Sequence, residues 1–249
     1  MRIIISPAKK MREDGDTLAP RGLPAFLGEA ERLRDALRAM TASERQALWR
    51  CSGAIAAVNE ERLAAMDLER AHTPAILAYE GIQYQYMAPG VFTGEALDYV
   101  QEHLRILSGF YGLLRPFDAV TPYRLEMQAR LPVDGGRDLY AFWGRKLADK
   151  LAEETDAVLD LASKEYSRAV QPFLPPRVRW ITVVFGEEKA GKIVEKGTLC
   201  KMARGRMVRW LAENQVRRPE EARAFGELGY RFSSERSGEG TYLFIKGDV

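Results

Sequence analysis

Val178-Arg-Trp-Ile-Thr-Val-Val-Phe185 runs directly into Gly186-Glu-Glu-Lys-Ala-Gly191-Lys192-Ile193, and then into Val194-Glu-Lys-Gly197. The first run is rich in β-branched and aromatic residues and reads as a strand. The octet after it resembles a phosphate-binding loop in all but its last position. Such a loop needs Ser or Thr after the lysine to hold Mg²⁺, and Ile193 has no oxygen to offer. Glu187 and Glu188 would also set carboxylates beside the phosphates, where loss of water strengthens repulsion. Ile193 to Glu195 returns as strand rather than helix. The stretch is therefore read as a β-hairpin, not as the opening of a nucleotide-binding domain.

Working outward, Arg2 to Ile5 reads as a short buried strand ended by Pro7. Leu27, Ala30, Leu33 and Leu37 fall at helical spacing within Leu23 to Met40. A second helix is expected after Thr41 or Ser43, with Ser43 and Gln46 as capping box and Leu48, Ile55 and Val58 facing inward. Pro74 to Tyr79 reads as a strand. A helix from the N-cap Thr93 carries Leu97, Val100, Leu104 and Leu107. Asp138 to Leu151 reads as helix, Ala157 to Ala162 as strand, Leu199 to Asn214 as helix, and Pro219 to Phe225 as a short helix with proline in its first turn. Gly229 to Ser234 and Tyr242 to Lys246 form a closing hairpin. These elements predict an α/β fold: one compact domain over residues 1–249, with a mixed β-sheet, surrounding helices and a C-terminal β-hairpin. The linker candidates, Asp14 to Pro24 and Gln171 to Pro176, are too short to divide it.

The 249 residues carry 37 Lys plus Arg against 35 Asp plus Glu, a formal charge of +2, with 46% hydrophobic and 29% charged residues. That balance excludes wholesale disorder. No apolar run suits a membrane span or a signal-peptide core, so no membrane partner is expected. Two cysteines, Cys51 and Cys200, cannot form a disulfide framework, and a reducing, cytoplasmic compartment is expected. His72 and His103 lack neighbours at ligand spacing, so neither a metal nor another cofactor is expected. No Gly-x-Ser-x-Gly elbow occurs.

Charge is uneven. From Lys189 to Arg218 there are nine basic residues and two acids, giving +7. On the helix expected there, Ala203, Met207 and Trp210 share a core face. Lys201, Arg206 and Arg209 project away, with Gly205 leaving backbone open to close approach. Such a stripe can neutralise phosphates, or can be a solvated helix face. A second concentration lies between Leu104 and Gly144. There Arg105, Arg115, Arg124, Arg130 and Arg137 alternate with Phe110, Tyr111, Phe117, Tyr123, Tyr140, Phe142 and Trp143. Arginine interleaved with aromatics can hold phosphates while stacking bases. The aromatics taken singly read as core ahead of stacking platform. Asp118 and Glu126 read either as acid and base or as ion-pair partners of Arg115 and Arg124. Ser108-Gly-Phe-Tyr-Gly112 offers two glycines that could expose backbone N–H groups to phosphate, although Pro116 would cut short any following helix.

Ile5-Ser-Pro-Ala-Lys9, Leu104 to Asp118, Pro122-Tyr-Arg-Leu-Glu-Met127, Leu139-Tyr-Ala-Phe-Trp-Gly144, Leu161-Ala-Ser-Lys-Glu-Tyr166 and Lys201-Met-Ala-Arg-Gly-Arg-Met207 together resemble the YaaA-type peroxide stress proteins. The resemblance runs nearly end to end. It implies a cytosolic bacterial-type protein that lowers free intracellular iron during hydrogen peroxide stress. It also implies DNA binding through a basic cleft with a helix-hairpin-helix-like element. That element would be Leu107 to Leu114, including Gly109 and Gly112, and the cleft would be lined by Arg105, Arg115, Arg124, Lys201, Arg204 and Arg206. After Gly81 many members of that family have Asp-Val-Tyr-Thr-Gly. Here the chain reads Ile82-Gln-Tyr-Gln-Tyr86, and no catalytic role is carried over for that loop.

Two functional expectations follow. In the first, DNA, in particular distorted or damaged duplex, is held by phosphate contacts from Lys9, Arg105, Gly109, Gly112, Arg115, Arg124, Arg137, Lys201, Arg204 and Arg206. In the second, the same cleft belongs to an enzyme acting on a nucleotide or nucleobase. Ser6 and Lys9 then sit at the carboxyl end of the first strand, where open α/β sheets place ligands. Glu126, Ser163, Glu165 and Tyr166 join them as acid, base and orienting groups. Direct iron sequestration is disfavoured, because the His and carboxylate spacing of a bundle-type iron site is missing.

Overall fold

The computed structural model describes residues 1–247. Twelve strands occur in chain order: β1 (Arg2–Ile5), β2 (Lys10–Met11), β3 (Thr73–Pro74), β4 (Tyr79–Glu80), β5 (Leu104–Ser108), β6 (Gly112–Leu114), β7 (Ala119–Val120), β8 (Ala157–Asp160), β9 (Arg179–Lys189), β10 (Lys192–Val194), β11 (Tyr230–Phe232) and β12 (Thr241–Lys246). Ten α-helices accompany them: α1 (Leu27–Ala39), α2 (Ala42–Trp49), α3 (Gly53–Ala65), α4 (Ala75–Ala78), α5 (Ile82–Met87), α6 (Gly94–His103), α7 (Leu139–Trp143), α8 (Lys146–Glu154), α9 (Lys164–Ser167) and α10 (Gly197–Glu213).

The main sheet has the order β11-β12-β9-β8-β1-β5-β6, with β10 paired to β9. From β12 to β5 the neighbours are parallel, whereas β6, β10 and β11 join as antiparallel strands. The fold is thus α/β with a mixed sheet. Ile3, Ile4 and Ile5 are wholly buried. A continuous apolar run is what a parallel strand covered on both faces requires. The octet at Gly186 closes the β9–β10 hairpin, its turn made by Ala190 and Gly191 with φ 49° and 75°. Two positive φ values in succession suit the tight hairpin turn that the missing Ser or Thr pointed to.

Several local expectations are corrected. The Thr41 side chain, not that of Ser43, caps α2, in a reciprocal box with Glu44. The chain breaks at Arg50, so α3 is separate and turns Ala56, Asn59 and Leu63 inward, leaving Ile55 and Val58 exposed. Ala75 to Ala78 is a buried helical turn between two short strands, an outcome that a four-residue apolar run cannot discriminate in advance. The expected helix over Asp138 to Leu151 is two helices, interrupted where Gly144 has φ 47°. Leu104 and Leu107 belong to β5, not to the end of α6.

That last correction removes the helix-hairpin-helix element. Leu107 to Leu114 is instead the turn of an antiparallel β-hairpin, with Ser108 paired to Gly112. Phe110 and Tyr111 at its tip are fully buried. A Cβ on Gly109 would lie 2.6 Å from the Leu125 carbonyl, and one on Gly112 would lie 2.7 Å from the Trp143 ring. These glycines admit the protein's own core, not a phosphate.

Candidate functional site

In the parallel sheet the chain leaves β1 toward β5 and leaves β8 toward β9, in opposite directions. The crevice between β1 and β8 is therefore the topological switch point, where open α/β sheets bind ligands beyond the strand ends. Ser6 follows β1 and Ser163 follows β8. The Ser6 hydroxyl accepts the Ser163 N–H at 2.8 Å and donates to the Ser163 hydroxyl at 3.2 Å. The Ser6 carbonyl accepts the Tyr84 hydroxyl at 3.0 Å. Strand ends and α5 are thereby tied together.

A cavity of about 430 Å³ opens over this junction. Ser6, Lys9, Glu126, Ser163, Glu165 and Tyr166 all line it, and so do Arg124, Lys201 and Arg204. Its size falls in the range of roughly 300–1,000 Å³ usual for small-molecule sites. Three carboxylates line it: Glu80, which pairs with Lys10 at 2.9 Å, and Glu126 and Glu165 in two further settings. Glu126 pairs with the Lys9 ammonium at 3.0 Å and with Arg124 at 3.5 Å. Glu165 is half-buried, and burial, reinforced by the nearby Glu126 charge, raises its carboxyl above the usual range. Gln128 joins the two, its backbone N–H donating to Glu165 Oε1 and its side chain to Glu126 Oε2, each at 3.3 Å. The Tyr140 hydroxyl donates to the Glu165 carbonyl at 2.9 Å.

The helix α10 reaches the cavity through a close crossing. A Cβ on Gly205 would fall 2.0 Å from the Gln83 carbonyl oxygen, so this glycine lets α10 lie directly on α5. The openness expected of Gly205 is spent on the protein itself. The crossing brings Gln83, Tyr84, Lys201 and Arg204 into one wall.

Over residues 1–236 the chain matches the family described as peroxide stress protein YaaA. This chain belongs to the YaaA family of peroxide stress proteins. The UPF0246 protein of Lachnoclostridium phytofermentans is 49% identical over 248 residues, covering 100% of this chain and 97% of that one. The UPF0246 protein of Desulfitobacterium hafniense is 47% identical over 246 residues, covering 99% and 98%. The UPF0246 protein of Pediococcus pentosaceus is 47% identical over 249 residues, covering 100% and 99%. YaaA membership places the chain in peroxide stress. Among its described residues no helix is long and apolar enough to cross a membrane.

Of the cations expected in the cleft of this YaaA-family fold, Lys9, Arg124, Lys201 and Arg204 are there and four others are not. Arg105 is 2% exposed and gives its donors to Glu154, at 2.7 and 2.6 Å, and to the carbonyls of Gln101, Glu102 and Leu104. Arg115 lines a separate hollow with Arg21, Lys150, Asp118 and Glu154. Asp118 is buried and accepts the Arg115 backbone N–H, a structural duty away from the cleft. Arg206 is bound to Glu227. Arg137 pairs with Asp138 at 3.2 Å on the rim of another hollow, which Arg50, Arg130, Arg168 and Gln128 share. Arg168 there stacks 4.1 Å above the Tyr140 ring.

The basic window of α10 is also more neutral than its composition. Lys196 pairs with Glu187, Arg209 with Glu213 and Arg218 with Glu221. Glu80 and Gln83 line the cleft without having been singled out from the sequence. For Gln83 the local sign was the run Ile82-Gln-Tyr-Gln-Tyr86, which departs from the family pattern; Glu80 had none.

Proposed function

We propose that this cleft takes a nucleobase, free or within a nucleotide, and acts on it by acid–base chemistry as the protein's contribution to peroxide stress. One observation carries the reading: side chains from near positions 6–9, 124–126, 163–166 and 201–204 line a single cavity at the switch point of the sheet. The cavity is concave rather than a shallow track. It pairs an ion-paired carboxylate, Glu126, with a neighbouring carboxyl, Glu165, whose proton is held more tightly by burial. Two such groups in unlike environments divide acid and base roles. Ser6 is a latch in this scheme, since its hydroxyl is occupied by Ser163. Lys9 and Arg124 balance Glu126 and orient it.

Titration of nucleosides and mononucleotides into the full chain by calorimetry tests the reading. Wild type is expected to bind, and Glu126→Gln and Glu165→Gln are expected to lose turnover while remaining folded. Absence of binding to every nucleoside, nucleotide and base would remove the proposal.

A second reading, DNA binding, draws support from the arginine hollow. Arg50, Arg130, Arg137 and Arg168 surround it with Asp138 as the one acid, and Gln128 forms a wall shared with the cleft carboxylates. Phosphates flanking a base seated in the cleft would rest there. On this reading Arg130→Gln with Arg168→Gln lowers affinity for bubble-containing duplex. It also lowers the slope of log affinity against log salt by about 2, as loss of two phosphate contacts requires. An unchanged slope would discard the hollow as a phosphate site. The protection proposed extends to free iron, so cells carrying Lys9→Ala should show more chelatable iron under peroxide than wild type.

A further inference from the structure

Two hydrogen-bond donors in the cleft wall have no partner among the described residues. Gln83 is 7% exposed, and its amide nitrogen is buried without an acceptor. The Nε of Arg204, one residue from the Gly205 crossing, is likewise buried and unpaired. Both residues line the cleft. Buried polar groups are nearly always satisfied, and leaving a donor unpaired is costly. Two in one cavity wall mark a place where a bound molecule supplies acceptors.

The same cavity offers the opposite chemistry from Glu126. That carboxylate is an acceptor only, and its charge is already balanced by Lys9 and Arg124. A ligand satisfying these three groups therefore presents adjacent acceptors toward Gln83 and Arg204 and adjacent donors toward Glu126. Among the bases this is the pattern of guanine, with O6 and N7 as acceptors and N1–H and the 2-amino group as donors. Adenine sets its 6-amino donor against the Arg204 and Gln83 donors. It also turns the N1 lone pair toward a carboxylate.

Resting on the reading of the cleft as a nucleobase site, we propose that Gln83 and Arg204 make it selective for a guanine-type base. They donate to O6 and N7 while Glu126 accepts from N1–H and the 2-amino group. The two are specificity residues. The Gly205 crossing holds Gln83 against α10, in register with Arg204.

Calorimetric titration of guanosine, inosine and adenosine into the full chain provides the test. Wild type is expected to bind guanosine at least about tenfold more tightly than adenosine, with inosine, lacking the 2-amino donor, between them. Gln83→Glu exchanges a donor for an acceptor and should narrow or reverse that preference. Arg204→Gln removes the guanidinium and should weaken guanosine by about tenfold with little effect on adenosine. Circular dichroism and melting of each variant establish that it is folded, and either variant alone suffices. An oligo-dT strand carrying one central guanine, set against guanosine monophosphate, tells a base within DNA from a free nucleotide, and guanine preference in either form supports the proposal. Nucleosides that bind without discrimination would overturn the guanine assignment and leave the cleft reading in place. No nucleoside or strand bound at all would end both.

Discussion

Ser6 and Ser163, 157 positions apart in the chain, meet where the adjacent parallel strands β1 and β8 end, the hydroxyl of one accepting the N–H of the other at 2.8 Å. This contact closes the floor of the cleft. It also fixes the turn that leads into Glu165 and Tyr166.

Removing the Ser6 hydroxyl should therefore damage structure before chemistry. In Ser6→Ala the half-buried Ser163 N–H loses its acceptor, at an expected cost of about 1–2 kcal/mol. Ser163→Ala forfeits only the longer hydroxyl–hydroxyl bond and should cost less than about 1 kcal/mol. Urea unfolding of both variants measures the difference. Equal losses would mean that the Ser163 N–H finds another partner.

Arg105 marks the limit of reading charge from sequence. It resembles a phosphate ligand in composition, yet its guanidinium is buried against Glu154 with Arg2 beside it. Arg105→Met should destabilise the protein by about 3 kcal/mol, because it strips a buried carboxylate of its closest partner. The folded fraction should bind DNA and nucleotides as wild type does. Reduced affinity with unchanged stability would return Arg105 to the binding surface.

What the sequence disclosed and what it hid divide along a physical line. Ile3 to Ile5, the Gly186 hairpin and the closing hairpin were legible because strand period, turn chemistry and burial act over a few neighbouring residues. The convergence of Ser6, Lys9, Glu126, Glu165 and Tyr166 was anticipated from strand-end logic, which a parallel sheet makes general. Pairing was not legible. Arg206 meets Glu227, twenty-one positions on, and Lys196 meets Glu187 across the hairpin. A charge count over Lys189 to Arg218 excludes both acids. Gly205 was read as exposed backbone because nothing local announces that α5 will lie across it.

That crossing gives a sharp expectation. Alanine ordinarily stabilises a helix interior by about 1 kcal/mol relative to glycine. At position 205 the added Cβ would collide with the Gln83 backbone carbonyl at 2.0 Å, and neither helix can give way cheaply. Gly205→Ala should instead destabilise by about 2 kcal/mol, lowering the melting temperature by roughly 4–8 °C. Because it displaces Gln83, it should also weaken any ligand held in the cleft. A melting temperature equal to or above wild type would show that α5 and α10 are not in contact there.

Asp160, at the end of β8, supplies the clearest pH dependence. Burial pushes its carboxyl up to about 6 from 3.8, against the opposing effect of hydrogen bonds from Ser167 and the Ala162 N–H. The folded state therefore binds a proton more tightly than the unfolded chain between about pH 4 and 6. Stability falls as pH rises through that window and stays lower above it, by on the order of 3 kcal/mol. Asn at this position carries no charge to bury. Its amide can donate to the Ser167 hydroxyl, which itself can donate to the Ser163 carbonyl. Asp160→Asn should accordingly raise the melting temperature at pH 8 and leave it near wild type at pH 4. The slope that remains in the variant belongs in part to Asp118, whose carboxyl burial also raises to about 6. Thermal unfolding of both proteins at the two pH values decides the matter. A variant less stable than wild type at pH 8 would mean that the ionised carboxylate is compensated by a partner stronger than Ser167, such as Arg204, whose charge acts to lower the Asp160 carboxyl.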